Sequence, residues 1–213
     1  VVQTHGFVPG ISCWGAYVMD ETTNEVHIFR ARKTMLATGG ASQIYAHNTN
    51  PAVSTGDGMA MARLAGARLA NMEFVQFHPT AFWSPCGKTF LISEALRGEG
   101  AVLRLQDGTE FMKSYHPKGN LAPRDIVSRA IDAEIKKRGE KYCWLDATGI
   151  ETEKLHNHFP YIDKRLLEQG IDFTRDPIPV APAAHYFCGG VLSTIDGITD
   201  IRNLFAAGEV ACT

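Results

Sequence analysis

The sequence predicts an α/β domain that is interrupted by an inserted α+β domain. Near the two ends of the chain, short apolar runs finish in glycine, at Lys33–Gly40 (KTMLATGG) and Asn203–Gly208 (NLFAAG). Strands that end in this way are typical of α/β folds, in which ligands lie beyond the carboxyl ends of the strands. The middle of the chain instead combines hairpin signals with its clearest helix, Pro123–Arg138. Together, these patterns predict one discontinuous domain with an insertion.

The amino-terminal part contains a predicted hairpin and a predicted helix. Residues 14–31 form two β-rich runs around the polar turn Glu21–Glu25. Ser54–Asn71 begins as a loop and continues as a helix whose alanines suit close packing. Asp57 lies between two glycines at the helix start, where amides and the helix dipole attract anionic groups. Simple capping of the helix by Asp57 is the alternative.

The middle of the chain alternates between predicted strands and helices. Pro123 suits the first turn of the long helix, and Gly139 suits a carboxyl-terminal cap. The other predicted elements are a strand at Glu73–Thr80, a hairpin of Ala101–Leu105 with Thr109–Met112, a strand at Tyr142–Ala147, helices near Glu151–Phe159 and Pro160–Gln169, and an extended segment that leads into Ala183–Val191.

Composition excludes several classes of protein. The chain has 213 residues, 45% hydrophobic and 21% charged, which is typical of a globular protein. A formal net charge of −2 gives no basic excess for nucleic acid. Five scattered cysteines without a C-x-x-C pair argue against disulfides or zinc, and His156 and His158 are spaced wrongly to share a helix face for a metal. With neither a signal peptide nor a long apolar run, the sequence predicts a cytoplasmic protein.

The two ends of the sequence predict an internal piece of a longer protein. The chain begins with VVQTHGF, without an initiator methionine. It stops at AAGEVACT, directly after a predicted buried strand.

Ionisable side chains are concentrated in one apolar stretch, from His78 to Gly100. Charged groups within apolar sequence must be paired, hydrated or functional, because burying them alone is costly. Glu94 and Arg97 are three residues apart and face the same side of a helical turn, so an intrahelical ion pair is one interpretation. The other interpretation makes this stretch one half of a carboxylate-binding site.

Seven motifs occur along the chain in a specific order: ATGG, STGDG, EFVQFHPT, SEALRGEGA, LAPRDIVSRAI, AAHYFCGG and LFAAGE. Together they resemble the flavoprotein family of succinate dehydrogenase, fumarate reductase and L-aspartate oxidase. The resemblance covers nearly the whole chain. Within the family, LAPRD and APAAHYFCGG are most similar to the L-aspartate oxidase pattern.

The resemblance implies a discontinuous, Rossmann-like FAD-binding domain that is interrupted by a capping domain. It places FAD-domain segments at residues 1–71 and 188–213 and the cap at residues 72–187. FAD is expected to bind non-covalently. The G-x-G-x-x-G fingerprint that grips its pyrophosphate is absent, so the isolated chain is expected to be inactive and to bind FAD poorly. Positions that match FAD contacts in the family are Gly39, Gly40, Asp57, Gly208 and Glu209, where the glycines permit close backbone approach.

The same resemblance implies a reaction on a four-carbon dicarboxylate. L-aspartate would be oxidised to iminoaspartate, with dioxygen or fumarate as the acceptor, in the first step of NAD biosynthesis through quinolinate. Quinolinate synthase would then be a partner. The alternatives are a fumarate reductase or succinate dehydrogenase flavoprotein subunit, and a non-catalytic isolated fragment.

Three residues are implied as substrate ligands. His78 and His185 would each hydrogen-bond a substrate carboxylate, and Ser93 would donate its hydroxyl. Many relatives have threonine in place of Ser93, so this chain keeps the donor and loses a methyl group.

Three further residues are implied as catalytic. Arg124 would be the proton donor and acceptor and would pair with a substrate carboxylate through its planar fork. Because the pKa of arginine is above about 12, a charge-stabilising role for Arg124 is favoured over a role as base. Glu94 and Arg97 would relay protons to Arg124, or Glu94 would meet the ammonium group of the substrate. The alternative for Arg124 is a surface ion pair with Asp125 or another nearby carboxylate.

Overall fold

The computed structural model describes residues 10–85 and 89–212, which form two compact units of mixed helix and strand. Of the described residues, the first unit comprises 10–44, 50–76 and 186–212, and the second comprises 45–49, 77–85 and 89–185. In chain order the elements are β1 Gly15–Asp20, β2 Glu25–Arg30, β3 Thr34–Leu36, α1 Asp57–Leu64, β4 Leu69–Ala70, β5 Val75–Phe82, α2 Glu94–Gly98, β6 Val102–Arg104, α3 Met112–Tyr115, α4 Arg124–Arg138, β7 Cys143–Asp146, α5 Thr152–His158, α6 Pro160–Leu167, β8 Ile178–Phe187, β9 Gly190–Val191 and β10 Leu204–Ala206.

The first unit is assembled from short strand pairs. The predicted hairpin is confirmed as β1 and β2, which pair antiparallel from Gly15 opposite Arg30 to Asp20 opposite Glu25. The two glycine-ended runs predicted at opposite ends of the chain pair with each other, because β3 and β10 are parallel neighbours. Strands β4 and β9 form a further antiparallel pair, which also joins segments that are distant in the sequence. The unit is therefore closed by contacts between the two ends of the sequence.

Helix α1 is shorter than the sequence predicts. It ends at Leu64, and the residues after it form β4 instead of continuing the helix to Asn71. The physical reason lies in Gly66, whose φ of 98° is outside the helical region and turns the chain. Strand β4 then finds its partner in β9, a contact that local propensity cannot show.

The second unit contains a four-stranded sheet with the order β5-β8-β7-β6. Strand β6 pairs antiparallel with β7. The predicted hairpin of Ala101–Leu105 with Thr109–Met112 is confirmed only in part. Its turn is present, with the N–H of Leu105 donating to the carbonyl of Thr109 at 2.9 Å and an antiparallel bridge from Arg104 to Glu110, but its second half forms no strand and α3 begins at Met112. The longer pairing of β6, over three residues, is with β7.

Helix α4 confirms the clearest sequence prediction. It begins at Arg124, directly after Pro123, and ends where Gly139 adopts the left-handed φ of 68° and donates to the carbonyl of Lys136. Its apolar stripe packs into the core of the second unit, which also contains side chains from the sheet and from α2, α5 and α6: Ile92, Leu96, Leu103, Val127, Ile131, Leu145, Leu155, Leu166 and Ile178. Burial of such a contiguous apolar set is the main favourable contribution to folding.

Among residues 10–85 and 89–212, no helix has the length and apolar character needed to cross a membrane.

Candidate active site

His78 is a buried histidine on β5 whose protonation state follows from its contacts. The residue is 1% exposed, and its Nδ1 accepts a hydrogen bond from the backbone N–H of Thr80 at 3.2 Å. Because a backbone amide can only donate, Nδ1 carries no proton and the neutral ring carries its proton on Nε2. Burial, followed by electrostatic interaction with His185, Arg124 and Arg97, lowers the pKa of His78 to about 3. His78 is therefore a neutral Nε2–H donor at physiological pH.

His185 lies beside His78 in the second unit. It is on β8, the neighbour of β5 in the sheet, and the two imidazole centroids are 5.2 Å apart in an edge-to-face arrangement. Its Nδ1 is 2.9 Å from the Oγ1 of Thr49. The structure thus brings together the two histidines that the sequence proposed as ligands of substrate carboxylates.

Ser93 is the amino-terminal cap of α2. Its Oγ accepts the backbone N–H of Ala95 at 3.1 Å, so the helix start uses a lone pair of the oxygen. The hydroxyl proton is not consumed by this bond. The capping contact therefore leaves Ser93 able to act as the hydrogen-bond donor that the sequence predicted.

Glu94 joins two arginines. Its Oε2 accepts from Nε of Arg124 at 2.5 Å, and its Oε1 lies 3.9 Å from Nη2 of Arg97. The intrahelical pair with Arg97 therefore exists but is the longer of the two contacts. Asp125 pairs with Arg129 at 2.6 Å, one turn further along α4, and a carboxylate that pairs with Arg124 is that of Glu94. This contact fits both interpretations of Arg124, an ion pair with a nearby carboxylate and a relay in the order Arg97, Glu94, Arg124.

Arg97 is an unusual residue because its charge is buried. Only 2% of the residue is exposed, and its Nη1 donates to the carbonyl of Asn120 at 2.6 Å. Burial lowers the pKa of its guanidinium, against the opposing effect of Glu94. Within the described part of the chain, Nε and Nη2 have no hydrogen-bond acceptor, although such donors are almost always paired when buried. Arg97 can therefore take a further acceptor.

Backbone contacts that the sequence pattern does not reveal hold this cluster in place. Ser128 of α4 donates through Oγ to the carbonyl of Phe77 at 3.0 Å, which ties the helix that begins at Arg124 to the strand that carries His78. The Oδ1 of Asn120 accepts the N–H of Leu103 at 3.1 Å and so fixes the segment whose carbonyl holds Arg97. Sequence analysis did not single out these two residues, nor Thr49 and Thr80. Thr80 and Asn120 contact the cluster through backbone atoms, which any residue supplies, and the hydroxyls of Thr49 and Ser128 contact distant residues, which no spacing or motif signals.

The cluster suits a dianionic ligand. The cluster contains two imidazoles, a hydroxyl and two guanidiniums, and the carboxylate that contacts both guanidiniums is that of Glu94, so donor and cationic groups outnumber it. Guanidinium forks and fixed N–H donors are the groups that recognise carboxylates in proteins. A preorganised set of this kind can bind a small dicarboxylate and stabilise charge that develops on it.

The residues proposed for the cofactor lie in the first unit. Gly39 and Gly208 have positive φ angles of 76° and 71°, and a Cβ built at either position meets no atom within 4 Å. Both therefore present open backbone of the kind that lets a cofactor approach closely. Asp57 is exposed at the first residue of α1, after Gly56, which has no side chain to cap the helix. These features fit a bound dinucleotide.

Gly40, unlike Gly39, lies against another side chain, that of Glu209. A Cβ at Gly40 would lie 2.3 Å from Oε1 of Glu209, so the glycine makes room for that carboxylate. The same oxygen accepts the backbone N–H of Phe187 at 2.7 Å. Gly58, which sequence analysis did not single out, similarly allows α1 to pack on Thr38, because a Cβ there would meet Oγ1 at 1.8 Å.

Comparison with known proteins is consistent with these features. The model of the FAD binding domain family matches residues 1–213. L-aspartate oxidase 1 of Ralstonia nicotianae is 54% identical over 97% of this chain, and L-aspartate oxidase of Pseudomonas aeruginosa is 52% identical over 97%. A solved structure of quinol-fumarate reductase with menaquinol molecules superimposes with a TM-score of 0.85 at 34% identity, over 97% of this chain and 39% of that one. The resemblance found in the motifs is thereby confirmed.

The chain spans 39% of the length of the Ralstonia relative and 38% of that of the Pseudomonas relative.

Proposed function

Because the chain belongs to the FAD binding domain family, we propose that it is the part of an L-aspartate oxidase that binds the dicarboxylate substrate and one portion of FAD. The observation that carries the proposal is the cluster in the second unit, where His78 and His185 lie 5.2 Å apart and Glu94 joins Arg97 to Arg124. The identity of 54% to a protein named L-aspartate oxidase supports the choice of substrate.

Substrate binding is assigned to the neutral donors and to Arg124. The Nε2–H of His78, fixed by the contact of Nδ1 with Thr80, donates to one carboxylate, and His185 donates to a carboxylate in the same way. Ser93 adds its hydroxyl while capping α2. The guanidinium of Arg124 pairs with a substrate carboxylate and stabilises charge there. Fixed donors of this kind hold a substrate in a reactive orientation without reorganisation.

Proton movement is assigned to the arginine pair and Glu94. Oxidation of L-aspartate to iminoaspartate removes a hydride from the α-carbon and a proton from the amine. In this assignment Glu94 exchanges a proton with Arg124 through their 2.5 Å contact, and Arg97 lies near its other oxygen. Apart from that exchange, the guanidinium of Arg124 holds positive charge beside the reacting group, since arginine gives up a proton only with difficulty.

The first unit is proposed as part of the FAD-binding domain and the second unit as its cap. FAD, when bound, supplies the acceptor for the hydride and is reoxidised by dioxygen or fumarate. Gly39 and Gly208 present open backbone to it, Gly40 gives Glu209 its place, and Asp57 stands at the start of α1. A cytoplasmic location and quinolinate synthase as the enzyme that consumes the product belong to this proposal.

The test is a comparison of substrates with the full-length protein. The proposal predicts turnover of L-aspartate and reduction of its flavin, whereas turnover of succinate alone would favour the fumarate reductase or succinate dehydrogenase alternative. His78→Ala and His185→Ala should raise KM for L-aspartate. If both variants keep the wild-type KM, the two histidines are not substrate ligands. A visible flavin absorption band in the purified 213-residue chain, at stoichiometric intensity, would contradict the prediction that this piece alone binds FAD poorly.

A further inference from the structure

Residues 47–49 lie against β8 although they are far from it in sequence. The N–H of Ala184 donates to the carbonyl of His47, and the N–H of Thr49 donates to the carbonyl of Ala184, both at 3.0 Å. Asn48 and Ala184 form a parallel bridge. These backbone bonds hold Thr49 beside the residue that follows Ala184 in β8, which is His185.

The hydroxyl of Thr49 is 2.9 Å from Nδ1 of His185. Two arrangements of protons satisfy this contact, because a hydroxyl both donates and accepts. If Nδ1–H donates to Thr49, the neutral ring has a bare Nε2 whose lone pair repels a carboxylate. If the Thr49 hydroxyl donates to Nδ1, the proton of the ring is on Nε2 and faces outward as a donor.

His78, the neighbouring histidine, has its proton on Nε2, as in the second arrangement. The N–H of Thr80 is a donor only, so the neutral ring of His78 carries its proton on Nε2. Two histidines 5.2 Å apart that serve one dicarboxylate require the same polarity. At His78 a backbone amide enforces that polarity, whereas at His185 the group that contacts Nδ1 is the side chain of Thr49.

We propose that Thr49 is a positioning residue for His185, whose hydroxyl donates to Nδ1 and holds the imidazole in the tautomer and orientation that present Nε2–H to the substrate carboxylate. This inference rests on the proposed function. Metal-ligating histidines are oriented by the same kind of contact from a neighbouring group. Here the contact orients a histidine toward an anion.

The test uses matched substitutions in the full-length oxidase with L-aspartate as the probe. Thr49→Val keeps the shape and removes the hydroxyl, and it should raise KM roughly fivefold to tenfold, the effect of one lost hydrogen bond, with little change in kcat. Thr49→Ser keeps the hydroxyl and should restore the wild-type KM. Thr148→Val removes a hydroxyl that bonds Asp146 in the same unit and should leave KM unchanged.

A double-mutant cycle separates positioning from a general effect on stability. In a His185→Ala background, Thr49→Val should raise KM no further, because Thr49 acts only through His185. An additive effect, an unchanged KM in Thr49→Val, or a Thr49→Ser variant as impaired as Thr49→Val would each overturn the inference. If Thr49→Val does not retain flavin, Thr49→Ala repeats the measurement.

The outcomes also distinguish this inference from the function on which it rests. A wild-type protein that does not oxidise L-aspartate would refute the proposed function. A wild-type protein that does, with KM raised by His185→Ala and not by Thr49→Val, would refute the role of Thr49 alone.

Discussion

Replacement of Glu94 by glutamine removes one charge from the centre of the cluster and keeps the shape of the side chain. The carboxylate of Glu94 compensates two guanidiniums, Arg124 at 2.5 Å and Arg97 at 3.9 Å. Glu94→Gln is therefore expected to lower both stability and turnover. The two effects differ in size, and this difference tests the relay.

The loss of stability follows from the exposure of the partners. The side chains of Glu94 and Arg124 are 44% and 37% exposed, which limits their pair to about 1 kcal/mol or less. Arg97 is buried, and removing the partner of a fully buried charge costs about 3–5 kcal/mol. Because Glu94 is solvated and its oxygen is 3.9 Å from Arg97, we expect about 1–2 kcal/mol in total. Urea unfolding of the variant measures this free energy.

The loss of turnover should be much larger. If Glu94 moves protons to Arg124, Glu94→Gln should lower kcat by about 10²–10⁴-fold, the contribution typical of general acid–base catalysis. The matched control is Glu99→Gln, which changes a carboxylate just after α2 that pairs with Lys154 and His158 and should leave kcat unchanged. The assay is steady-state oxidation of L-aspartate by the full-length protein. A kcat near the wild-type value in Glu94→Gln would refute the relay.

Two further predictions concern stability. Acidification from pH 6.5 to 4.5 should destabilise the fold by about 2 kcal/mol through His78, because the unfolded chain takes up a proton at the ordinary pKa of 6.5 while the folded pKa is about 3. Urea unfolding at a series of pH values measures this loss, and His78→Asn should reduce the change in unfolding free energy between pH 6.5 and 4.5. An equal change in the wild-type protein and in His78→Asn would contradict the burial of a neutral ring. Gly40→Ala should destabilise by about 1–2 kcal/mol, because the new methyl displaces Glu209 from the N–H of Phe187. The control is Gly149→Ala, because a methyl group added at Gly149 contacts no other atom. Equal melting temperatures of the Gly40→Ala and Gly149→Ala variants would refute this explanation.

Locally encoded elements could be predicted from the sequence. Helix α4 was expected at Pro123–Arg138 and begins one residue later, because proline before the first turn and glycine after the last specify helix ends without help from distant residues. The hairpin of β1 and β2 follows in the same way from a polar turn between β-rich runs.

Long-range pairing could not be predicted. The sequence pattern predicted the local turn after Ala101–Leu105, but it did not predict that β6 also pairs with β7, some forty residues further along the chain. Residues 45–49 were expected within the first FAD-domain segment, and in the structure they belong to the second unit. No periodicity reports such a contact, because it depends on what lies beside β8 after folding.

The candidate site likewise contains residues that the sequence predicted and residues that it did not. His78, Ser93, Glu94, Arg97, Arg124 and His185 were found from motifs, and all of them lie in the second unit. The contacts of Thr49, Thr80, Asn120 and Ser128 with these residues could not be predicted. Thr80 contributes a backbone N–H and Asn120 a backbone carbonyl, so their side chains carry no signal. Thr49 and Ser128 contribute hydroxyls, which are common outside active sites.

The most direct test of the central claim, that this cluster acts on a dicarboxylate, is anaerobic mixing of full-length Arg124→Lys with L-aspartate. Lysine keeps the positive charge and loses the planar fork that bonds Glu94 and that we propose bonds a substrate carboxylate. The loss of flavin absorbance in a single turnover measures the chemical step. We expect rapid bleaching in the wild-type protein and almost none in Arg124→Lys. Bleaching of the variant at the wild-type rate would contradict the assignment of Arg124 to the reaction.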